Sequence, residues 1–309
     1  MKIVVDENIP FVQEAFGRLG EVLALPGRAI SSERIQDATI LIVRSVTPVN
    51  AVLLQGSAVQ FVGTATAGCD HIDQDDLNKN NILFASAAGA NANSVAEYVI
   101  SALFLRACKK REVLRGKTLG IIGVGHVGTL LKLKAEAIGM IPILNDPPLQ
   151  RETGNSTYRS LQKACDADFI SLHVPLNDAG EDATRNLLSE NRLRRINPKT
   201  VIINTSRGEI IDPVALFNQL EKKQLARPIL DVWANEPSIN WALLQKLEIG
   251  TPHIAGYSLD GKVAGTEMVY EAACAALGVM PSWSRHGLTL PGQRTIKIDA
   301  EEKDEMTIF

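Results

Sequence analysis

A chain of 309 residues is longer than one ordinary core organises and points to two domains. With 45% hydrophobic residues, a formal net charge of −3 and a mean hydropathy near zero it is globular, which excludes a nucleic acid or a membrane surface as the expected partner and leaves a small molecule. The opening MKIVVDENIP turns acidic after a short apolar run, no apolar run is long enough to span a bilayer, and Cys69, Cys108, Cys165 and Cys274 lack metal-ligand spacing. A cytoplasmic protein with reduced thiols and no metal is therefore expected.

In chain order, the apolar runs KIVV (2–5), ATILIV (38–43), VQFVGTA (59–65) and NILFAS (81–86) alternate with helix-period segments. The grammar repeats in TLGIIGVG (118–125), IPILND (141–146), DFISLHV (168–174), TVIINTS (200–206) and RPILDVW (227–233), which is the signature of βα units and parallel sheets. Between the two series lies NSVAEYVISALFLRACKKR, a long helix for which Ser94 and Glu97 spell a capping box. A second helix is expected from Asp260 to Gly278 and returns the chain to the first domain. After Ser284 the composition changes to one alternating piece, TIKID, and a charged end, read as a tail or the remnant of a third unit.

Gly123-x-Gly125-x-x-Gly128 follows an apolar strand and opens an amphipathic helix, the context a dinucleotide fingerprint needs. The first glycine permits the tight turn, the second admits a pyrophosphate to the backbone, and the third lets helix pack on strand. A glycine-rich turn of structural use alone would spell the same pattern. Asp146 ends the next strand, about 20 residues on, where a carboxylate binds ribose hydroxyls and repels a 2′-phosphate, so NAD is expected rather than NADP. Arg151 nearby is either a solvated surface charge or a ligand for such a phosphate.

Arg207, beside Gly208, stands at the carboxyl end of a later strand of the same sheet, where ligands gather. Its guanidinium offers paired donors to a carboxylate with Gly208 clearing the approach, the alternative being a surface salt bridge. DVWANEP and TPHIAG, at further strand ends, supply Glu236 and His253. A histidine can take a hydroxyl proton while hydride leaves the carbon, and a carboxylate on its other ring nitrogen fixes the tautomer. Each residue alone is an ordinary loop residue; together, downstream of the fingerprint, they form a candidate catalytic set. His71 in DHIDQDD is assigned to a capped, solvated helix start, His126 and His173 to the cofactor site without chemistry, and Lys109–Arg111 to a solvated helix end.

The order GVGHVG, NTSRGE, DVWANEP, TPHIAG resembles the D-isomer-specific 2-hydroxyacid dehydrogenases, whose catalytic Arg, Glu and His match Arg207, Glu236 and His253. The similarity runs from Met1 to about Trp283. VDENIP, VRSVTPVN, FVGTATAGCDHID and HIAGYSLDGKVAGTEMVYEA look most like the branch that oxidises 4-phospho-D-erythronate in bacterial pyridoxal 5′-phosphate synthesis. The resemblance implies substrate contacts from Ser45, Thr66 and Tyr257, dinucleotide contacts from Asp146, Thr205, Ser206, Asp231 and Gly256, and Val174 lining the cofactor site. It also implies a homodimer, although only a short piece after Trp283 resembles the family's C-terminal dimerisation domain.

The expected architecture is α/β, with two Rossmann-like or flavodoxin-like parallel-sheet domains, an interdomain cleft and a short C-terminal extension. The substrate domain takes residues 1–105 and 255–283, the NAD-binding domain 106–254, and the tail 284–309. Arg44, at a strand end beside Ser45, is the candidate for the substrate phosphate, against a structural ion pair. The expected reaction is NAD-dependent oxidation of 4-phospho-D-erythronate to 2-oxo-3-hydroxy-4-phosphobutanoate. Its rivals are another D-2-hydroxyacid dehydrogenase, such as one acting on 3-phosphoglycerate, and a non-enzymatic NAD-sensing interaction protein.

Overall fold

Strands built from Val and Ile on both faces need cover on both sides, and parallel sheets with flanking helices supply it. The computed structural model describes residues 1–286 and 288, and these divide into two units, residues 1–91 with 257–286 and 288, and residues 92–256.

In the first unit β1 (Lys2–Asp6), β2 (Glu21–Leu25), β3 (Ile40–Val43), β4 (Phe61–Thr64) and β5 (Leu83–Ser86) form a parallel sheet of order β2-β1-β3-β4-β5. Side chains alternate between its two layers. Ile3, Val5, Ile40 and Ile42 join a core with the helix Leu259–Leu277, whereas Val4, Leu41 and Val43 join Ile35, Leu54 and Leu77. Within that helix Tyr270 meets Phe16 edge-on at 5.6 Å and Trp283 at 5.9 Å, and its hydroxyl accepts the Ser282 amide at 2.9 Å.

In the second unit β6 (Thr118–Ile122), β7 (Ile141–Asn145), β8 (Phe169–Leu172), β9 (Val201–Asn204), β10 (Ile229–Leu230) and β11 (Ile249–Gly250) form a parallel sheet of order β11-β10-β9-β8-β6-β7. The order reverses at β6, whose neighbours are β7 and β8, so the loop leaving β6 opens at the switch point where such sheets take ligands. One layer contains Val99 and Leu103 of the helix Ala92–Lys110 with Leu131 of the helix His126–Ala137; the other contains Leu216 and Leu220 of the helix Pro213–Glu221.

Two expectations need correction. The helix Ala92–Lys110 belongs whole to the second unit, so the division falls at residue 91/92 and not at 105/106, because its buried face packs into that unit's core. Ser94 lies inside this helix, which begins at Ala92, and so is not the residue that precedes it; the Glu97 carboxylate accepts from Asn93 Nδ2 at 2.9 Å and faces Lys134 at 3.3 Å. The sequence pattern also passed over β2, a half-exposed strand, and β11, only two residues long. TIKID and most of the 284–309 tail lie outside the described residues.

Leu103 is fully buried where the long helix meets the sheet. Replacing it with Ala is expected to destabilise the second unit by about 2–5 kcal/mol, read as a lower denaturant midpoint at unchanged slope.

Candidate active site

The loop between β6 and the helix His126–Ala137 is shaped by contacts that admit no side chain. Gly123 has φ +88°, and a Cβ there would sit 2.5 Å from the His173 carbonyl oxygen; one on Gly128 would sit 2.1 Å from the Gly123 carbonyl oxygen. Gly125 faces open space. The helix N-terminus is thus approachable by an anion at the one glycine where the fingerprint needs room. Asp146 sits beside this loop, accepting the Val124 amide at 2.8 Å and capping the next helix through Leu149 N at 3.1 Å. Arg151 is engaged by Asp182 and Glu181 as a surface ion pair. Open Gly125 and the Asp146 carboxylate fit NAD.

Val174 closes against Gly123, its Cγ1 lying 2.9 Å from where that Cβ would stand. The Thr205 hydroxyl lies 3.4 Å from His173 Nδ1, and His173 Nε2 lies 2.8 Å from Ser171 Oγ. Burial pushes His173 down to about 3, so its ring is neutral and structural. Ser206 turns inward, donating from both N and Oγ to Asn204 Oδ1 at 3.0 and 2.8 Å, while Asn204 Nδ2 donates to the Arg207 carbonyl at 2.8 Å. Asn204 therefore fixes the loop that presents Arg207.

Gly208 has a different purpose from the one its position suggested. A Cβ there would lie 2.0 Å from the carbonyl carbon of Trp233, so the glycine lets the Arg207 loop touch the backbone of the loop that carries Glu236, and clears no path for a ligand. That second loop places Glu236 with Oε1 on the Trp233 amide at 2.8 Å and Oε2 on His253 Nδ1 at 2.8 Å. A carboxylate only accepts, so Nδ1 carries the proton and Nε2 is left as the basic nitrogen. The hydrogen bond to Glu236, helped by the charges of Glu236 and Asp231, raises His253 above the ordinary imidazole range, against partial burial and the Arg207 charge. Burial opposes ionisation of Glu236, but the bonds from His253 and Trp233 and the Arg207 charge outweigh it and hold its carboxyl below the usual range.

Asp231, 1% exposed, holds the histidine loop and is not simply a ligand-facing carboxylate. Oδ1 accepts the Ile254 amide at 2.8 Å and the Thr251 hydroxyl at 2.5 Å, Oδ2 accepts the Ala255 amide at 2.8 Å, and its carbonyl accepts the His253 amide at 2.8 Å. Gly256 ends this turn at the last residue of the unit.

Arg44, Ser45, Thr66 and Tyr257 belong to the first unit. Arg44 Nε pairs with the fully buried Asp6 at 3.0 Å, so the ion pair is real; it uses the inner edge of the guanidinium and leaves the Nη end for an anion. Tyr257 is exposed, with Lys262 Nζ 3.4 Å from its ring centre, and Lys262 first and Arg44 further away lower its phenol. Ser45 is exposed, and Thr66 Oγ1 lies 2.8 Å from the buried Thr64 hydroxyl. His71 is not simply solvated, since its Nε2 lies 3.0 Å from that same Thr64 hydroxyl, while Asp73 caps the helix Gln74–Lys79. Sequence reasoning missed Asn204, Thr251, Trp233 and Lys262, whose roles arise from loop closure and carry no spacing signal. Among the described residues, no group of three or more His, Cys, Asp or Glu is gathered as a metal would require.

Residues 93–255 match the family model described as D-isomer specific 2-hydroxyacid dehydrogenase, NAD binding domain. The chain is similar to the erythronate-4-phosphate dehydrogenases of Hydrogenovibrio crunogenus, at 47% identity over 92% of this chain and 75% of that one, and of Klebsiella pneumoniae, at 47% over 90% and 74%. Among solved structures, the NAD+-bound 3-phosphoglycerate dehydrogenase of Entamoeba histolytica is 27% identical with a TM-score of 0.77, covering 90% of this chain and 95% of that one.

The ring of His253 is expected to titrate above an ordinary imidazole, because its folded form keeps the proton to higher pH. Glu236→Gln removes the leading cause. The midpoint followed by histidine ring NMR is expected to fall toward the ordinary imidazole value in that variant.

Proposed function

The chain belongs to the D-isomer specific 2-hydroxyacid dehydrogenases, and from that premise we propose that it oxidises 4-phospho-D-erythronate at C2, giving 2-oxo-3-hydroxy-4-phosphobutanoate. The observation that carries the mechanism is the 2.8 Å contact of Glu236 with His253 Nδ1, which leaves Nε2 to take the C2 hydroxyl proton. When bound, NAD supplies the acceptor for the hydride that leaves C2. Arg207 binds the substrate carboxylate and polarises the C2 oxygen. Glu236 holds the imidazole in one tautomer and steadies it once protonated. In reverse, His253 returns the proton as a general acid.

Arg44 is the proposed phosphate ligand, oriented from behind by Asp6, with Ser45, Thr66 and Tyr257 as further substrate contacts. Thr205, Ser206, Val174 and Gly256 are the proposed cofactor contacts beside the glycine loop and Asp146. The product belongs to pyridoxal 5′-phosphate synthesis in the branch that the sequence resembles, and the same resemblance supports a cytoplasmic homodimer. No helix among the described residues is long and apolar enough to cross a membrane.

Oxidation needs His253 neutral, so its rate is expected to rise with pH through the raised imidazole value, while the reverse reduction falls over the same range. NADH absorbance with 4-phosphoerythronate, 3-phosphoglycerate and lactate checks the substrate; turnover of 3-phosphoglycerate in preference would overturn it, and NAD binding without turnover would favour a sensor. His253→Asn is expected to lower kcat by about 10²–10⁴ with NAD affinity nearly unchanged. Arg44→Ala is expected to raise KM for the phosphorylated substrate by roughly tenfold or more, with KM for NAD unmoved.

A further inference from the structure

The histidine turn is held from a place that the reaction itself does not require. Tyr98, on the helix Ala92–Lys110, has its hydroxyl 2.6 Å from Thr251 Oγ1, and Thr251 Oγ1 is 2.5 Å from Asp231 Oδ1. The direction of both bonds follows from chemistry. A carboxylate only accepts, so Thr251 donates to Asp231, and Tyr98 must then donate to Thr251. Burial first, with the Asp231 charge, holds the phenol above its usual range against the Thr251 bond, which keeps the donor proton in place.

From Thr251 two branches reach the catalytic pair. The hydroxyl branch passes through Asp231, whose oxygens take the amides of Ile254 and Ala255 and whose carbonyl takes that of His253. The carbonyl branch takes the Trp233 indole Nε1–H at 2.9 Å, and the Trp233 amide donates to Glu236. His253 stands at φ +57°, in the left-handed region, where a histidine persists only when its surroundings hold it.

We propose that Tyr98 is a positioning residue for the His253–Glu236 pair, acting through the Thr251 hydroxyl and the Asp231 carboxylate. It touches neither partner and fixes the turn on which His253 stands. The proposal rests on the reading of His253 as the base, and it adds a residue from a helix that carries no other part of the site. The charged groups that face His253 are Glu236, Asp231 and Arg207. Loosening the turn lengthens the contact with the first of these and lets the imidazole relax toward its ordinary value.

The test is histidine ring NMR across pH on the full chain, with the His253 signal assigned by its loss in His253→Asn, for Tyr98→Phe, Thr251→Val and Thr251→Ser. The first two are expected to lower the His253 midpoint by roughly half a unit or more. They are also expected to lower kcat by about tenfold to a hundredfold while KM for NAD changes less than about twofold. Thr251→Ser, which restores the hydroxyl, is expected to recover the midpoint. Variants that lose thermal stability and keep the wild-type midpoint would overturn the proposal, leaving Tyr98 a packing residue. The titration needs no substrate, so a shifted midpoint in a chain that oxidises none of the hydroxy acids would sustain the positioning role and sink the reaction, and an unshifted midpoint in an active enzyme would do the reverse.

Discussion

A parallel sheet delivers every strand to the same edge, and the second unit is built around that constraint. β6, β8, β9 and β10 are neighbours in the ladder, so the loops that leave them are neighbours in space in the same order. The glycine turn, His173 and Val174, the segment Thr205–Arg207, and the Asp231–Glu236 loop follow one another along this edge. Residues separated by more than a hundred positions become a single site without any long-range recognition between their side chains.

Proximity of loops then creates its own demand, which is backbone against backbone. Gly123 rests on the His173 carbonyl and Gly208 on the Trp233–Ala234 peptide, at separations that no Cβ could occupy. The polar groups exposed by such crowding are satisfied by a few side chains that work inward. Asn204 stitches the arginine loop and Asp231 the histidine turn, each through bonds to main-chain amides or carbonyls. The residues offered to a ligand are held by residues that face away from it.

This division explains what could be read from the sequence. Of the eleven strands among the described residues, nine appear as apolar runs, seven of them because they are buried along nearly their whole length, with β5 and β7 partly exposed but still apolar in sequence; β2 is half-exposed and β11 is two residues long, too weak a pattern to stand out. Arg207, Glu236 and His253 were legible as candidates because chemistry restricts the residue types and the strand grammar fixes their places. Gly208 was legible as a glycine but not for its reason, since the contact that demands it comes from a loop more than twenty residues on. Tyr98 and Thr251 were not legible at all. A tyrosine in an apolar helix looks like core, and only the closed loop shows that its hydroxyl meets a threonine 153 positions away. Arg44 was read as either a phosphate ligand or an ion pair, and the fold makes the pair with Asp6 through an edge of the guanidinium that leaves both descriptions compatible.

The left-handed backbone at His253 also bears on how such a centre can be lost. β-Branched and bulky side chains are poorly accommodated in that conformation, while asparagine and aspartate enter it readily. The replacements that the turn accepts most easily are thus ones that cannot serve as an imidazole base. A chain with asparagine or aspartate at position 253 is therefore expected to keep this turn's backbone while lacking the imidazole.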